Sequence, residues 1–308
     1  MLTRTHSALT TTVYTVSTVT HHMAEATAIA DDTTNLDSAS NDTVILPGVA
    51  YAPYTADGGC KNEHQIEEDF SKLNGSYSVI RIYGTDCDQV ALAHTAAKDM
   101  NVKLFLGIWD ISKVTDEAQL IIDGVDGDWD MIHTVSVGNE RVNAGEASAE
   151  DVVAAVKKAR SILREAGYDG PVVTVDTFVA VIAHPELCEE SDYCAFNAHA
   201  FFDATVAADQ AGTWLTSTLS NVKDAVSGDI KKFIVTESGW PCKGLTNGLA
   251  VPSASEQKAA LASIRKAFAD NLDEVVLFSA FNTPWKAEEK ATFNAEPFWG
   301  IDGAISSA

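Results

Sequence analysis

From Asn41 onward the chain repeats one pattern eight times: a short apolar run, a polar cluster, then a stretch with helical periodicity. The runs fall at 45–51, 78–83, 103–109, 132–137, 172–175, 193–200, 232–235 and 275–281. Their apolarity is continuous rather than alternating, the pattern of strands covered on both faces in a parallel sheet. The stretches between them carry helix signals. Ile66, Phe70 and Leu73 share one helical face, with Gly75 as a stop. Residues 148–151 and 253–256, each opening on Ser, read as capping boxes. The first of them starts a helix with Val152, Val156, Ala159 and Leu163 on one side.

Eight strands alternating with helices either close into a barrel or stay open as a doubly wound sheet. The polar residues at the ends of the runs decide between these. Tyr51, Tyr54, Tyr83, Trp109, Asp110, Asn139, Glu140, Asp176, Asn197, His199, Glu237 and Asn282 all close or follow a run. A barrel gathers such ends on one face around one site. An open sheet spreads them along an edge and usually carries a Gly-rich phosphate turn after its first strand. Gly58-Gly59-Cys60 lies well beyond the first run and lacks that spacing. The expected fold is a single (β/α)8 TIM barrel with its site at the C-terminal ends of the strands. Asp110 and Asp176 fit the role of ordinary turn residues equally well.

The barrel is expected over 43–308, and 46% hydrophobic residues supply a sizeable core. Residues 1–42 are Thr/Ser-rich, as in Thr10-Thr11-Thr12-Val13-Tyr14-Thr15, and read as an exposed or glycosylated stalk or as a disordered tail. The 21 basic residues stand against 44 acidic ones, a net charge of -23. That balance excludes nucleic acid and an anionic membrane surface as partners, since both need clustered Lys and Arg. A neutral substrate fits better. No apolar stretch reaches the length of a membrane span, and no signal-peptide core lies near Met1.

Cys60, Cys87, Cys188, Cys194 and Cys242 match no zinc spacing, and no other ligand set appears, so neither metal nor organic cofactor is expected. Two bridges and one free thiol suit an oxidising compartment, with fifteen arrangements open (five choices of free thiol, three pairings for each). Five buried thiols in a reducing compartment are the alternative. Two sequons, at Asn41 and Asn74, permit glycosylation.

Glu140 closes the fourth run in Val137-Gly138-Asn139-Glu140, and Glu237 the seventh in Val235-Thr236-Glu237-Ser238-Gly239-Trp240-Pro241. Two carboxyl groups on separate strand ends can face each other across a cleft. Glycoside hydrolysis needs such a pair, one to protonate the leaving oxygen and one to attack the sugar or activate water. The acid calls for a drier setting that raises its pKa, and the nucleophile for hydrogen-bond donors that keep it ionised. No Gly-x-Ser-x-Gly elbow is present, which leaves serine-hydrolase chemistry without a nucleophile site.

Taken together, the motifs resemble glycoside hydrolase family 17, in its fungal cell-wall β-1,3-glucanase and β-1,3-glucanosyltransferase branch. The resemblance covers about 46–303. It rests on Gly48-Val49-Ala50-Tyr51-Ala52-Pro53-Tyr54, Val79-Ile80-Arg81-Ile82-Tyr83-Gly84, the two glutamate motifs, and Ala280-Phe281-Asn282-Thr283-Pro284-Trp285-Lys286 with Phe298-Trp299-Gly300. It implies a retaining mechanism with Glu140 as acid/base and Glu237 as nucleophile, on a β-1,3-glucan. It also implies a secreted, cell-wall setting. Asn139 is expected on the sugar 2-hydroxyl, with Asn197 and Phe201 bordering the cleft and His199 in a supporting hydrogen bond. Tyr51, Tyr83 and Trp240 are expected to line the cleft, and Phe281, Asn282, Trp285 and Lys286 to complete the substrate-binding set.

Within this reading, transfer competes with hydrolysis. A non-catalytic glucan-binding or wall-structural protein on the same scaffold is the rival. A monomer is expected. On a barrel, Cys60 and Cys87 follow neighbouring strands at one face, and Cys188 and Cys194 bracket a short loop. Those two pairs are therefore the expected bridges, with Cys242 free.

Overall fold

The computed structural model describes residues 45–302, Lys231 excepted. The Thr/Ser-rich tract 1–42 and the sequon at Asn41 lie outside the described residues. The unit that begins at Val44 holds the whole barrel.

Eight parallel strands close in sequence order, with the last pairing back onto the first. They are β1 Gly48–Ala50, β2 Val79–Arg81, β3 Lys103–Ile108, β4 Ile132–Asn139, β5 Val172–Thr177, β6 Cys194–Asn197, β7 Phe233–Ser238 and β8 Val275–Leu277. The crossovers are α1 Glu63–Leu73, α2 Gln89–Met100, α3 Val114–Val125, α4 Ala149–Glu165, a pair α5 Phe178–Ala183 and α6 Glu186–Glu189, α7 Ala211–Ala225 and α8 Ala254–Ala267. After β8 the described residues contain one 3-10 turn, Lys290–Thr292, in place of a further α-helix.

Strand parity sorts the core into two layers. Val79, Phe105, Val173, Val175, Tyr193, Ala195 and Ile234 form a compact cluster inside the barrel. Their neighbours of opposite parity, such as Ile80, Leu104, Leu106 and Val235, pack outward against Ile66, Phe70 and Leu73 of α1 and the other helices. This double burial is why the strands read as unbroken apolar runs.

The helix signals act as read, with one difference. Asn62 and Gln65 form a reciprocal capping box on α1, and Ser148 and Asp151 do so on α4. At α8 the structure gives only the forward half, with Ser253 accepting from the Glu256 N–H. Cys60–Cys87 joins the loops after β1 and β2, Cys188–Cys194 ties α6 to β6, and Cys242 is free. Asn74 of the second sequon is exposed just past α1.

The strand lengths differ from expectation where it matters most. β4 continues to Asn139 and β7 to Ser238, so both glutamate motifs are built on or directly against the sheet.

Candidate active site

The end of β4 is not regular. Its pairing with β5 shifts between Ser136 and Asn139. Gly138 sits at φ 75°, and a Cβ there would lie 3.1 Å from Ile111 Cγ2, so only glycine fits this bulge. Glu140 follows at φ 56°, a left-handed conformation that non-glycine residues seldom adopt. Its N–H donates to Val175 O at 2.9 Å, and its carbonyl accepts from the Ala144 N–H at 2.9 Å. Thr174 Oγ1 donates to Val137 O at 2.8 Å, so β5 supports the distorted strand along its length.

Glu140 Oε1 accepts from Asn197 Nδ2 at 2.8 Å. Burial, then the charge of Glu237, push the Glu140 carboxyl above its ordinary pKa; the Asn197 bond and nearby His199 offset only part of this. Glu237 projects from β7 and is 6% exposed. Its Oε1 accepts from Tyr83 OH at 2.7 Å and Arg81 Nη1 at 3.0 Å, and its Oε2 lies 3.2 Å from His199 Nε2. Burial alone would raise this carboxyl, but the His199 bond, the Arg81 charge and the Tyr83 bond outweigh it and hold it below its ordinary value. Against a carboxylate, His199 Nε2 must carry the proton. The imidazole is packed edge-on to Trp299, Phe278 and Phe202, with ring centroids at 5.0, 5.4 and 6.2 Å.

Asn197 links Glu140 to Arg81, which in turn bonds Glu237. Its Nδ2 reaches Glu140, while its Oδ1 accepts from Thr236 Oγ1 at 2.9 Å and Arg81 Nη1 at 3.3 Å. Asn139 Oδ1 accepts from Arg81 Nη2 at 2.8 Å and Asn197 Nδ2 at 3.2 Å. With the oxygen so held, the Asn139 amide presents Nδ2 as a donor toward the cleft that its side chain lines.

Arg81 was absent from the expected site although it lies in one of the quoted motifs. It is fully buried, its guanidinium carbon 4.5 Å from the Tyr83 ring centre and 5.2 Å from that of Phe105. The signal was visible: a charge inside an otherwise apolar run needs a buried partner.

The cleft at this end of the barrel has a volume of about 870 Å³. Tyr54 and Trp285 form one wall, with ring centroids 5.2 Å apart. Trp109, 46% exposed with the Arg141 guanidinium 4.8 Å from its ring centre, forms a second. Phe178, Val179 and Phe202 form a third. Tyr54 and Trp109 stand among the residues that close or follow the runs but were not in the expected substrate-binding set, and Phe202 was in neither group.

Of the expected residues, Tyr51, Tyr83, Asn139, Glu140, Asn197, His199, Glu237, Trp285 and Lys286 come together at the cleft. Tyr51 shows it little more than an edge, being 2% exposed with its hydroxyl donating to Asp69 at 2.8 Å. Lys286 Nζ stands 3.3 Å from Glu296. Four others are not brought to the cleft wall. Phe201 is fully buried between Trp240, Trp299 and Phe293. Trp240 is equally buried, its indole N–H bound to Val251 O at 3.0 Å. Phe281 packs on Tyr51, and Asn282 Oδ1 accepts the Gly300 N–H at 2.9 Å. Asp110 caps a 3-10 turn through the Ser112 N–H. Among the described residues no His, Cys, Asp and Glu cluster suits a metal ion, and no helix is long and apolar enough to cross a membrane.

Residues 48–300 match the BtgE/BtgC glycoside hydrolase domain. The chain is similar to a cell surface mannoprotein of Candida albicans, 47% identical over 256 residues, which cover 82% of this chain and 66% of that protein. It is 44% identical over 256 residues to a probable family 17 glucosidase of Saccharomyces cerevisiae, covering 82% of this chain and 64% of the relative. The match thus spans a little under two-thirds of each relative's length. A glycoside hydrolase family 17 β-1,3-glucanosyltransferase from Rhizomucor miehei shares the fold at a TM-score of 0.72 and 20% identity, covering 85% of this chain and 95% of that one. An endo-laminarinase from Formosa does so at 0.68 and 14%, covering 83% and 82%. On the domain match and these relatives, the chain belongs to the BtgE/BtgC glycoside hydrolase domain family, within glycoside hydrolase family 17.

Proposed function

We propose that this protein is a retaining glycosidase or transglycosylase of β-1,3-glucan, with Glu237 as nucleophile and Glu140 as acid/base. The observation that carries this reading is the opposite displacement of two carboxyl groups in one cleft. Burial and a neighbouring charge favour the neutral acid at Glu140, and three donors favour the carboxylate at Glu237. That division of labour is the one a double displacement needs.

In the first step Glu140 gives its proton to the glycosidic oxygen while a Glu237 oxygen bonds to the anomeric carbon. The bond from that carbon to the leaving oxygen breaks, giving a glucosyl ester and a free sugar hydroxyl. Esterification removes the Glu237 charge, the second cause of the raised Glu140 pKa. Glu140 then becomes a better base. It takes a proton from water or from an acceptor hydroxyl, whose oxygen displaces Glu237 with net retention. Arg81, Tyr83 and His199 hold the carboxylate in place for both steps, and Asn139 Nδ2 is available to a sugar hydroxyl.

Support for the substrate is the aromatic-walled cleft, which suits the flat C–H faces of sugars, and the fold relative from Rhizomucor miehei, an active-site mutant of which holds laminaritriose. Two disulfides and a cell-surface relative support export to the wall. We place the catalytic unit at 43–308, acting as a monomer.

The test is azide rescue of Glu237→Ala and Glu140→Ala on an activated β-glucoside. Glu237→Ala should give the α-azide, because azide enters where the nucleophile stood. Glu140→Ala should give the β-azide, formed from the covalent intermediate. Swapped anomers would reverse the roles, and no rescue in either folded variant would remove the pair. Products longer than a laminari-oligosaccharide substrate would mark transfer, and shorter ones alone hydrolysis.

A further inference from the structure

The mechanism leaves one buried charge beside the acid unused. Asp176, at the end of β5, is 1% exposed. Its Oδ2 accepts the Val142 N–H at 2.8 Å, and its Oδ1 accepts the N–H groups of Asn143 at 3.2 Å and Thr177 at 2.8 Å. Val142 and Asn143 are the second and third residues after Glu140. Thr177 Oγ1 adds a bond to Asn143 Oδ1 at 3.0 Å. Three backbone donors aimed at one carboxylate is a dedicated arrangement, since a turn needs no buried charge to form.

The reason lies in Glu140 itself. A glutamate at φ 56° is in a sparsely populated conformation that persists only where its surroundings over-determine it. On one side Val175 O takes the Glu140 N–H. On the other, Asp176 takes the N–H groups of Val142 and Asn143, two and three residues further on. Consecutive β5 residues thus clamp both sides of the acid.

We propose that Asp176 is a positioning residue for Glu140: its carboxylate holds the turn that carries the acid/base and sets a negative charge behind it. The inference rests on the assignment of Glu140 above. Four charged or titratable groups face Glu140: Glu237 from β7, His199 just beyond β6, Tyr83 beyond β2 and Asp176 from β5. Burial raises the Asp176 carboxyl above its ordinary pKa, and the three N–H bonds and His184, just past α5, offset part of that rise. The Asp176 charge favours the protonated form of Glu140, so its removal moves the alkaline limb of the rate profile to lower pH.

The experiment compares wild type, Asp176→Asn, Asp176→Glu and Glu140→Ala on two substrates with the same β-1,3-linked glycone. One carries a dinitrophenyl leaving group that needs no acid, and the other is an unactivated laminari-oligosaccharide. Asp176→Asn should lose about 10- to 100-fold in kcat/KM on the oligosaccharide and less than about threefold on the activated substrate. Its alkaline limb should fall, and Asp176→Glu, which keeps the charge, should restore that limb. Equal losses on both substrates with an unmoved limb would reduce Asp176 to a structural residue and overturn the proposal. So would wild-type behaviour. If Asp176→Asn does not fold, Asp176→Ser, which leaves room for water at the three N–H groups, is read by the same criteria. Failure of Glu140→Ala itself to discriminate the two leaving groups would overturn the assignment of Glu140, and this inference with it.

Discussion

Replacing Arg81 by Met keeps most of the side-chain volume and removes one charge and four hydrogen bonds, to Glu237, Asn139, Asn197 and Thr236 O. Removing one partner of a buried ion pair costs about 3–5 kcal/mol, because the other charge is left uncompensated. A barrel of this size loses roughly 2–4 °C of Tm per kcal/mol, so the fall should be about 6–20 °C at neutral pH. The pH dependence identifies the cause. In the wild type the Glu237 pKa lies below its ordinary 4.5, so the stabilisation is present above that value and is lost as pH falls through the lower native pKa. Without Arg81, one of the groups that offset burial is gone and the Glu237 pKa rises. The stabilisation gained on ionising Glu237 shrinks, so the Tm deficit of the variant is larger at pH 7 than at pH 4. A charge pair at 3.0 Å is worth on the order of 5 kcal/mol at an effective dielectric of 20, so even after relaxation the acid limb of kcat/KM should move up by at least about one pH unit. Thermal unfolding at both pH values and a pH–rate profile read these quantities. A Tm within about 2 °C of wild type at pH 7 with an unmoved acid limb would falsify the role assigned to Arg81.

Three further outcomes follow from the same geometry. The alkaline limb of wild-type kcat/KM should lie above the ordinary carboxylate range and vanish in Glu140→Ala on an activated substrate, because burial and Glu237 raise that acid. Alkylation without reductant should label Cys242 alone, as read by mass spectrometry. Removing Cys60–Cys87, with a sequence separation of 27, should cost about 3.5 kcal/mol in denaturant unfolding against about 2 kcal/mol for Cys188–Cys194, with a separation of 6, if loop closure dominates. Trp285→Ala should raise KM for long laminari-oligosaccharides several-fold while leaving kcat within about threefold, since the ring packs on Tyr54 in the cleft wall and is not among the groups hydrogen-bonded to either carboxyl.

The barrel was legible because its strands are buried on both faces, which writes each as an apolar run, and because polar residues recur at one end of every run. The two glutamates were legible for the same reason. Facing was less so. Phe201 and Phe202 are neighbours, yet the first is fully buried and the second lines the cleft. Trp240 sits three residues past Glu237 and turns into the core, since the chain leaves the sheet after Ser238 and strand parity no longer applies. Arg81 went unread because it falls in the middle of the run 78–83, which a strand-end argument looks past, whereas in the structure it closes β2. Asp176 fits a turn reading from sequence; only the bonds to Val142 and Asn143 tie it to the acid.

The donors around Glu237 come from residues 154 and 156 positions earlier in the chain and from one 38 positions earlier. None belongs to β7 or to the turn that follows it. Only the His199 bond can form between the adjacent strands β6 and β7; the Tyr83 and Arg81 bonds need β2 brought round the ring to face β7. A chain whose strands and helices have formed but whose first and last strands have not joined lacks two of the three donors that offset the burial of this carboxyl. Turnover in this protein thus doubles as a gauge of ring closure, and it should be the last native property to return on refolding.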